Sequence, residues 1–151
     1  MNSMNDTGVV AGRASGQTRQ THRLRGLAVT GIIAALAAVL ATTVVAALAQ
    51  VVGVDFEIPD GGETIPLSGI AVMTGFFSAV GVVIAVALLR WSARPAERFV
   101  WTAVSLTAIS LVAPLLSGAD TATTLALIGL HLVAATVMIP TLARSLRTRT
   151  A

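Results

Sequence analysis

Four long stretches of this chain contain no Asp, Glu, Lys or Arg. They run from about Gly26 to Val52, Leu67 to Leu89, Phe99 to Leu116 and Thr121 to Ala143. A membrane-crossing helix needs about 20 predominantly apolar residues. Hydrocarbon offers no partner to backbone N–H and C=O groups, so a spanning segment must satisfy them internally, and a helix does so. The spacing therefore predicts an all-α fold, a bundle of four transmembrane helices. Composition points the same way: 55% of residues are hydrophobic and 11% are charged, against about 25% charged in soluble domains. So few charges cannot cover the surface of a soluble fold.

The basic residues fix an orientation. All ten are arginines. Four precede the first apolar run, three lie in the turn RWSARPAER between the second and third, and three follow the fourth. The other two connections hold no arginine but contain Asp55, Glu57, Asp60, Glu63 and Asp120. Cytoplasmic loops collect Arg and Lys, so four spans with both termini cytoplasmic put every arginine on one side. The expected location is the cell membrane. Trp91 and Trp101 flank the middle arginines, where amphipathic rings settle at the lipid–water interface. A pI near 11.4 suggests nucleic acid at first sight, but the arginines sit beside apolar runs and form no basic face with interleaved aromatics. Nucleic acid is therefore not an expected partner.

This gives a disordered cytoplasmic tail over 1–25, a membrane domain over 26–144 and a short cytoplasmic tail over 145–151. The first tail is polar and aperiodic, the usual mark of disorder. Ala47-Leu48-Ala49 fits a signal peptidase site, which would remove the first span, but the apolar run exceeds the 7–15 residues usual for a signal peptide. Between the first two spans, VDFEI and ETIPL alternate around Pro59-Asp60-Gly61-Gly62, a turn signal in which Pro presets φ and Gly accepts positive φ. A short extracytoplasmic β-hairpin is expected there. Its carboxylates match no calcium-loop spacing, and a solvated acidic face is the simpler reading.

Candidate functional residues are few. His131 lies eleven residues past Asp120, about 16 Å along a helix at ~1.5 Å per residue, which puts it near the bilayer centre. Ionisable side chains at that depth are functional candidates, although a helix–helix hydrogen bond is the blander role. Thr42, Thr43, Ser78, Ser105 and Thr107 fall at similar depth and are expected to form a polar cluster with it. Asp120, just before the fourth run, suits an N-cap. Pro114 and Pro140 should free the carbonyls of Ser110 and Thr136. Ala34, Ala38, Thr42 and Ala46 form a small-residue stripe that allows close helix approach. Cysteine is absent, so disulfides, thiolate metal sites and thiol chemistry within the chain are excluded. No catalytic, metal-ligating or cofactor-binding residues are expected, and the chain is not expected to be an enzyme.

The order of an Arg-rich start, an Ala/Val first span, GVDFEIP, RPAERFVWT and PLLSGADTATTLALIGLHLVAATVMIPTLAR resembles an uncharacterised family of small four-helix membrane proteins from high-GC bacteria. The resemblance covers about residues 24–144, and the last block, with Asp120-Thr121 and His131, is its most specific part. It implies a four-span architecture and no assigned activity. Two functions are then expected of the chain: an interaction or accessory subunit packed in the bilayer against another membrane protein or itself, or a small transporter or channel using His131.

Overall fold

The computed structural model describes residues 6–58 and 63–150. Among them the chain forms α1 (Asp6–Val51), α2 (Leu67–Trp91), α3 (Pro95–Ser110), α4 (Val112–Leu116) and α5 (Thr121–Thr150). The fold is all-helical apart from two short strands between α1 and α2, β1 (Glu57–Ile58) and β2 (Glu63–Thr64), which pair antiparallel. The turn expected at Pro59-Asp60-Gly61-Gly62 lies outside the described residues.

Four helical segments are long and apolar enough to cross a membrane: Gln20–Val51, Leu67–Trp91, Pro95–Leu116 and Thr121–Thr150. Their outer faces are what a bilayer would contact. Ile33, Leu36, Leu40 and Leu48 on α1, Phe76 and Phe77 on α2, and Ile109 on α3 are all more than half exposed. Large exposed apolar surfaces of this kind are unusual for a soluble monomer.

The helices are longer than the apolar runs. α1 extends from Asp6 through the polar stretch that precedes the apolar run at Gly26. Met1–Asn5 lie outside the described residues. Extending a formed helix fixes one residue per hydrogen bond and is far easier than nucleating one, so an apolar span can carry a polar extension. At 46 residues α1 measures about 69 Å at ~1.5 Å per residue, well beyond a hydrocarbon core of about 30 Å. α5 likewise runs past Ala143 to Thr150.

The third span is broken where the sequence places Pro114. α3 ends at Ser110 and α4 starts at Val112. Proline has no N–H to donate to the Ser110 carbonyl and its ring crowds that group. The Thr107 carbonyl accepts from the Leu111 amide and the Ser110 hydroxyl. Pro140 does not break α5, which stays helical through it.

Helix order follows from the side chains that meet. α1 packs along α2 and α5, and α3 along α5 and α2, so the ring runs α1–α2–α3–α5 with α2 and α5 touching across its centre. Gly31 faces Val82 and Gly75 faces Val39, so α1 and α2 are antiparallel. Gly26 faces Arg149, and Ala46 shares a cluster with Leu130, which makes α1 and α5 antiparallel too. The small-residue stripe of α1 is the face that makes this possible: Ala34, Ala38, Thr42 and Ala46 are all buried. In a bilayer, where lipid is as apolar as the helices, close van der Waals packing of small residues rather than hydrophobic burial would hold such a bundle together.

Two buried clusters fill the bundle. One, at the arginine-bearing end, joins Leu27, Ala34, Ala38, Ala85, Phe99, Met138, Leu142 and Leu146. The other, at the acidic end, joins Ala46, Phe56, Ile70 and Leu130.

Candidate functional site

The middle of the bundle holds a polar contact between α1 and α2. Thr42 is fully buried, and its hydroxyl donates to the Ala38 carbonyl at 2.9 Å, with the Val39 carbonyl at 3.1 Å. Its Oγ1 also lies 3.3 Å from Thr74 Oγ1 on α2. With the Thr42 proton on its own helix, the Thr74 hydroxyl donates across the gap. Ser78 is buried one turn further along α2, on the same face as Thr74.

The wider cluster expected around His131 is not assembled by hydrogen bonds. His131 is half-buried, and its Nδ1 lies 2.8 Å from the Leu127 carbonyl one turn back on α5. A carbonyl only accepts, so Nδ1 carries a proton in this contact. Thr43 donates to Val39 and Thr107 to Ala103, each within its own helix. Ser105 is exposed on the outer face of α3. Among the described residues no side-chain hydrogen bond joins His131 to Thr42, Thr43, Ser78, Ser105 or Thr107. The reason is rotational: equal depth places residues in one layer, but only those on inward faces can meet.

Asp120 takes the capping position. Its Oδ2 accepts from the Ala122 amide at 2.9 Å and its Oδ1 from the Thr123 amide at 3.2 Å. Its own carbonyl accepts from the Thr124 amide at 2.9 Å, the first helical bond of α5. Hydrogen bonding from the Thr123 side chain, joined by the two amides, holds the carboxyl below its ordinary value of 3.8 against a smaller opposing effect of desolvation. A stabilised carboxylate at a helix N-terminus needs no catalytic role to explain it.

Two features escaped sequence reasoning. Thr74 is the partner of Thr42, and its spacing of four residues from Ser78 was the available signal. Phe56 is the other. It is fully buried although it sits in the connection between α1 and α2, and its φ is +50°. Positive φ in a bulky residue is an outlier. Phe56 shares a buried cluster with Ala46, Ile70 and Leu130, and its carbonyl accepts from the Ile65 amide at 3.1 Å. Burial of the ring at the acidic end thus holds the backbone in a conformation it would otherwise avoid. Among the described residues, no three His, Asp or Glu side chains converge as a metal site would require. Asp60, one of the four loop carboxylates, is outside that set.

At the opposite end a cavity of about 460 Å³ opens between the start of α3 and the last turn of α5. Arg94, Glu97, Trp101 and Arg147 line it. Arg94 and Glu97 form an exposed ion pair at 3.6 Å.

One family model matches residues 22–148 of the chain, that of DUF6069, a family of unknown function. No curated protein and no solved structure matches.

Proposed function

The chain belongs to the DUF6069 family, and from that premise we propose that it is a multi-pass protein of the cell membrane with a structural, non-enzymatic role, packing in the bilayer against another membrane protein or a second copy of itself. The observation that supports this reading is the apolar packing of the bundle interior among the described residues. Phe56 and its cluster are buried at the acidic end, Leu27, Phe99, Leu142 and Leu146 at the arginine end, and the Ala/Thr stripe of α1 between them. A conducting path needs open, polar-lined space along the bundle axis.

In this reading both termini and all ten arginines are cytoplasmic, following the bias of Arg toward that side, and the β1–β2 connection is an extracytoplasmic hairpin. α1 is retained rather than cleaved, because it supplies the stripe on which α2 and α5 pack. The absence of cysteine makes the orientation simple to test. A cysteine at Glu63 should react with an impermeant maleimide on intact cells, and one at Thr148 only after permeabilisation. The opposite pattern would sink the orientation. The structural role is tested by purifying tagged protein from its native membrane in mild detergent and reading intact mass and stoichiometry together. A fixed-ratio complex is expected; a monomer at every detergent concentration would overturn it.

A small transporter is the second reading, favoured by one observation: the Nε2 of His131 has no hydrogen-bond partner among the described residues while Nδ1 is held. Intramembrane imidazoles serve proton relays. His131→Ala should then abolish a proton-coupled flux measured in vesicles, and an unchanged flux would remove the residue from consideration.

A further inference from the structure

The cavity at the arginine end has the attributes of a lipid headgroup site. It runs from the α2–α3 turn, at Arg94, to Val100 and Trp101 in the first part of the third span. It therefore reaches from the polar boundary into the apolar band, a path a phospholipid would follow. Its volume of about 460 Å³ falls within the ~300–1,000 Å³ of small-molecule sites.

Charge selects the occupant. Arg147 lines the cavity from α5, and among the described residues it has no carboxylate within ion-pair distance. Arg94 lines it from the turn, and its pairing with Glu97 is exposed on both sides. Exposed pairs of this kind contribute little, so Arg94 remains available to a better acceptor. Arginine presents a planar fork of donors that matches phosphate oxygens. Trp101 is 69% exposed, at the edge of the cavity where a ring would lie along glycerol and upper acyl carbons. Basic recesses between transmembrane helices near the interface bind anionic headgroups.

We propose that the recess between the start of α3 and the end of α5 binds the phosphate headgroup of an anionic phospholipid, with Arg147 and Arg94 on the phosphate and Trp101 against the lipid body. The inference rests on the chain spanning a bilayer but not on which side the arginines face. One arginine near an anionic surface contributes about fivefold in binding, so Arg147→Gln should reduce lipid enrichment by about that factor.

The chain has two tryptophans and no tyrosine, so Trp91→Phe leaves Trp101 as the only strong emitter. That variant, full length, is reconstituted in phosphatidylcholine vesicles containing a small fraction of brominated phosphatidylglycerol or, separately, of brominated phosphatidylcholine. The expected result is stronger Trp101 quenching by the anionic lipid. The preference should fall about fivefold with Arg147→Gln, fall with Arg94→Gln, and persist with Arg25→Gln, an exposed arginine outside the cavity. Equal quenching by both lipids, or equal loss with Arg25→Gln, would overturn the site while leaving the membrane reading intact. Quenching by neither lipid at any fraction would overturn both. Inorganic phosphate at matched ionic strength should not relieve the anionic quenching; relief beyond that given by chloride would assign the recess to soluble phosphate instead.

Discussion

Gly31→Ala should destabilise the bundle, although alanine is the better helix former. A Cβ at Gly31 would lie 2.7 and 2.8 Å from the two Cγ atoms of Val82 and 3.3 Å from its Cβ. Carbon atoms in favourable contact sit about 3.5–4.0 Å apart, so α1 and α2 would have to separate locally by most of an ångström. Rotating Val82 offers little relief, because a β-branched side chain in a helix holds one strongly preferred χ1. Replacing an interior helical glycine gains about 0.5–1 kcal/mol, while overpacking a close contact costs about 1–3 kcal/mol. The net expectation is a loss centred on ~1 kcal/mol and reaching at most about 2.5 kcal/mol. The cause is isolated by Val82→Ala, which removes both offending methyls. Alone it should destabilise by loss of packing; combined with Gly31→Ala it should cost less than the two singles summed, with a coupling of about 1 kcal/mol or more. Denaturation of the purified protein in detergent micelles, followed by tryptophan emission, measures all four states of the cycle. If Gly31→Ala is neutral or stabilising and the coupling is zero, the two backbones do not approach at Gly31 and the packing argument fails.

Three further outcomes are expected. Thr42→Val keeps the shape and removes the hydroxyl contact with Thr74, so it should cost about 0.6 kcal/mol in the same denaturation assay, with little added by Thr74→Val. Phe56→Ala should cost about 3 kcal/mol, and Phe56→Gly should be less damaging than the alanine variant by about 1 kcal/mol because φ is positive there; a glycine variant that is the worse of the two would show the backbone is not held in that region. The cap at Asp120 has a lowered folded-state pKa, so its contribution is complete above the unfolded value of 3.8 and is lost as pH falls through the lower folded value. The amide resonances of Ala122 and Thr123 should titrate with a midpoint below 3.8; a midpoint above it would contradict the capping geometry.

Several features could be read from the sequence because their causes are local or additive. Placing a charge in hydrocarbon is costly wherever it occurs, so the uncharged runs marked the four helices that are apolar enough to cross a membrane, independently of packing. The Asp120 cap involves residues two and three positions apart, and the break before Pro114 depends on a carbonyl four positions back. The Ala34, Ala38, Thr42 and Ala46 stripe was visible as a period, although the period named no partner. The reach of α1 and α5 beyond their apolar runs was not visible, since polar residues do not announce whether an adjoining helix will carry them along.

Which residues meet is settled by the packing of the helices. Depth along a helix is a property of one segment, but facing depends on how each helix is rotated and on which neighbour it meets. That is why Thr42 found Thr74 rather than His131, why Ser105 turned outward at the expected level, and why Arg94 and Arg147, 53 positions apart, line one recess. Phe56 shows the same limit in a connection: only the gap left by α1, α2 and α5 explains why an aromatic ring is buried there at the cost of an unfavourable backbone angle. The order of residues alone was enough to mark which helices are long and apolar enough to cross a membrane, because hydropathy acts on each residue separately. The pairing of surfaces was left to the folded bundle, because close packing is a relation between distant residues that no single segment contains.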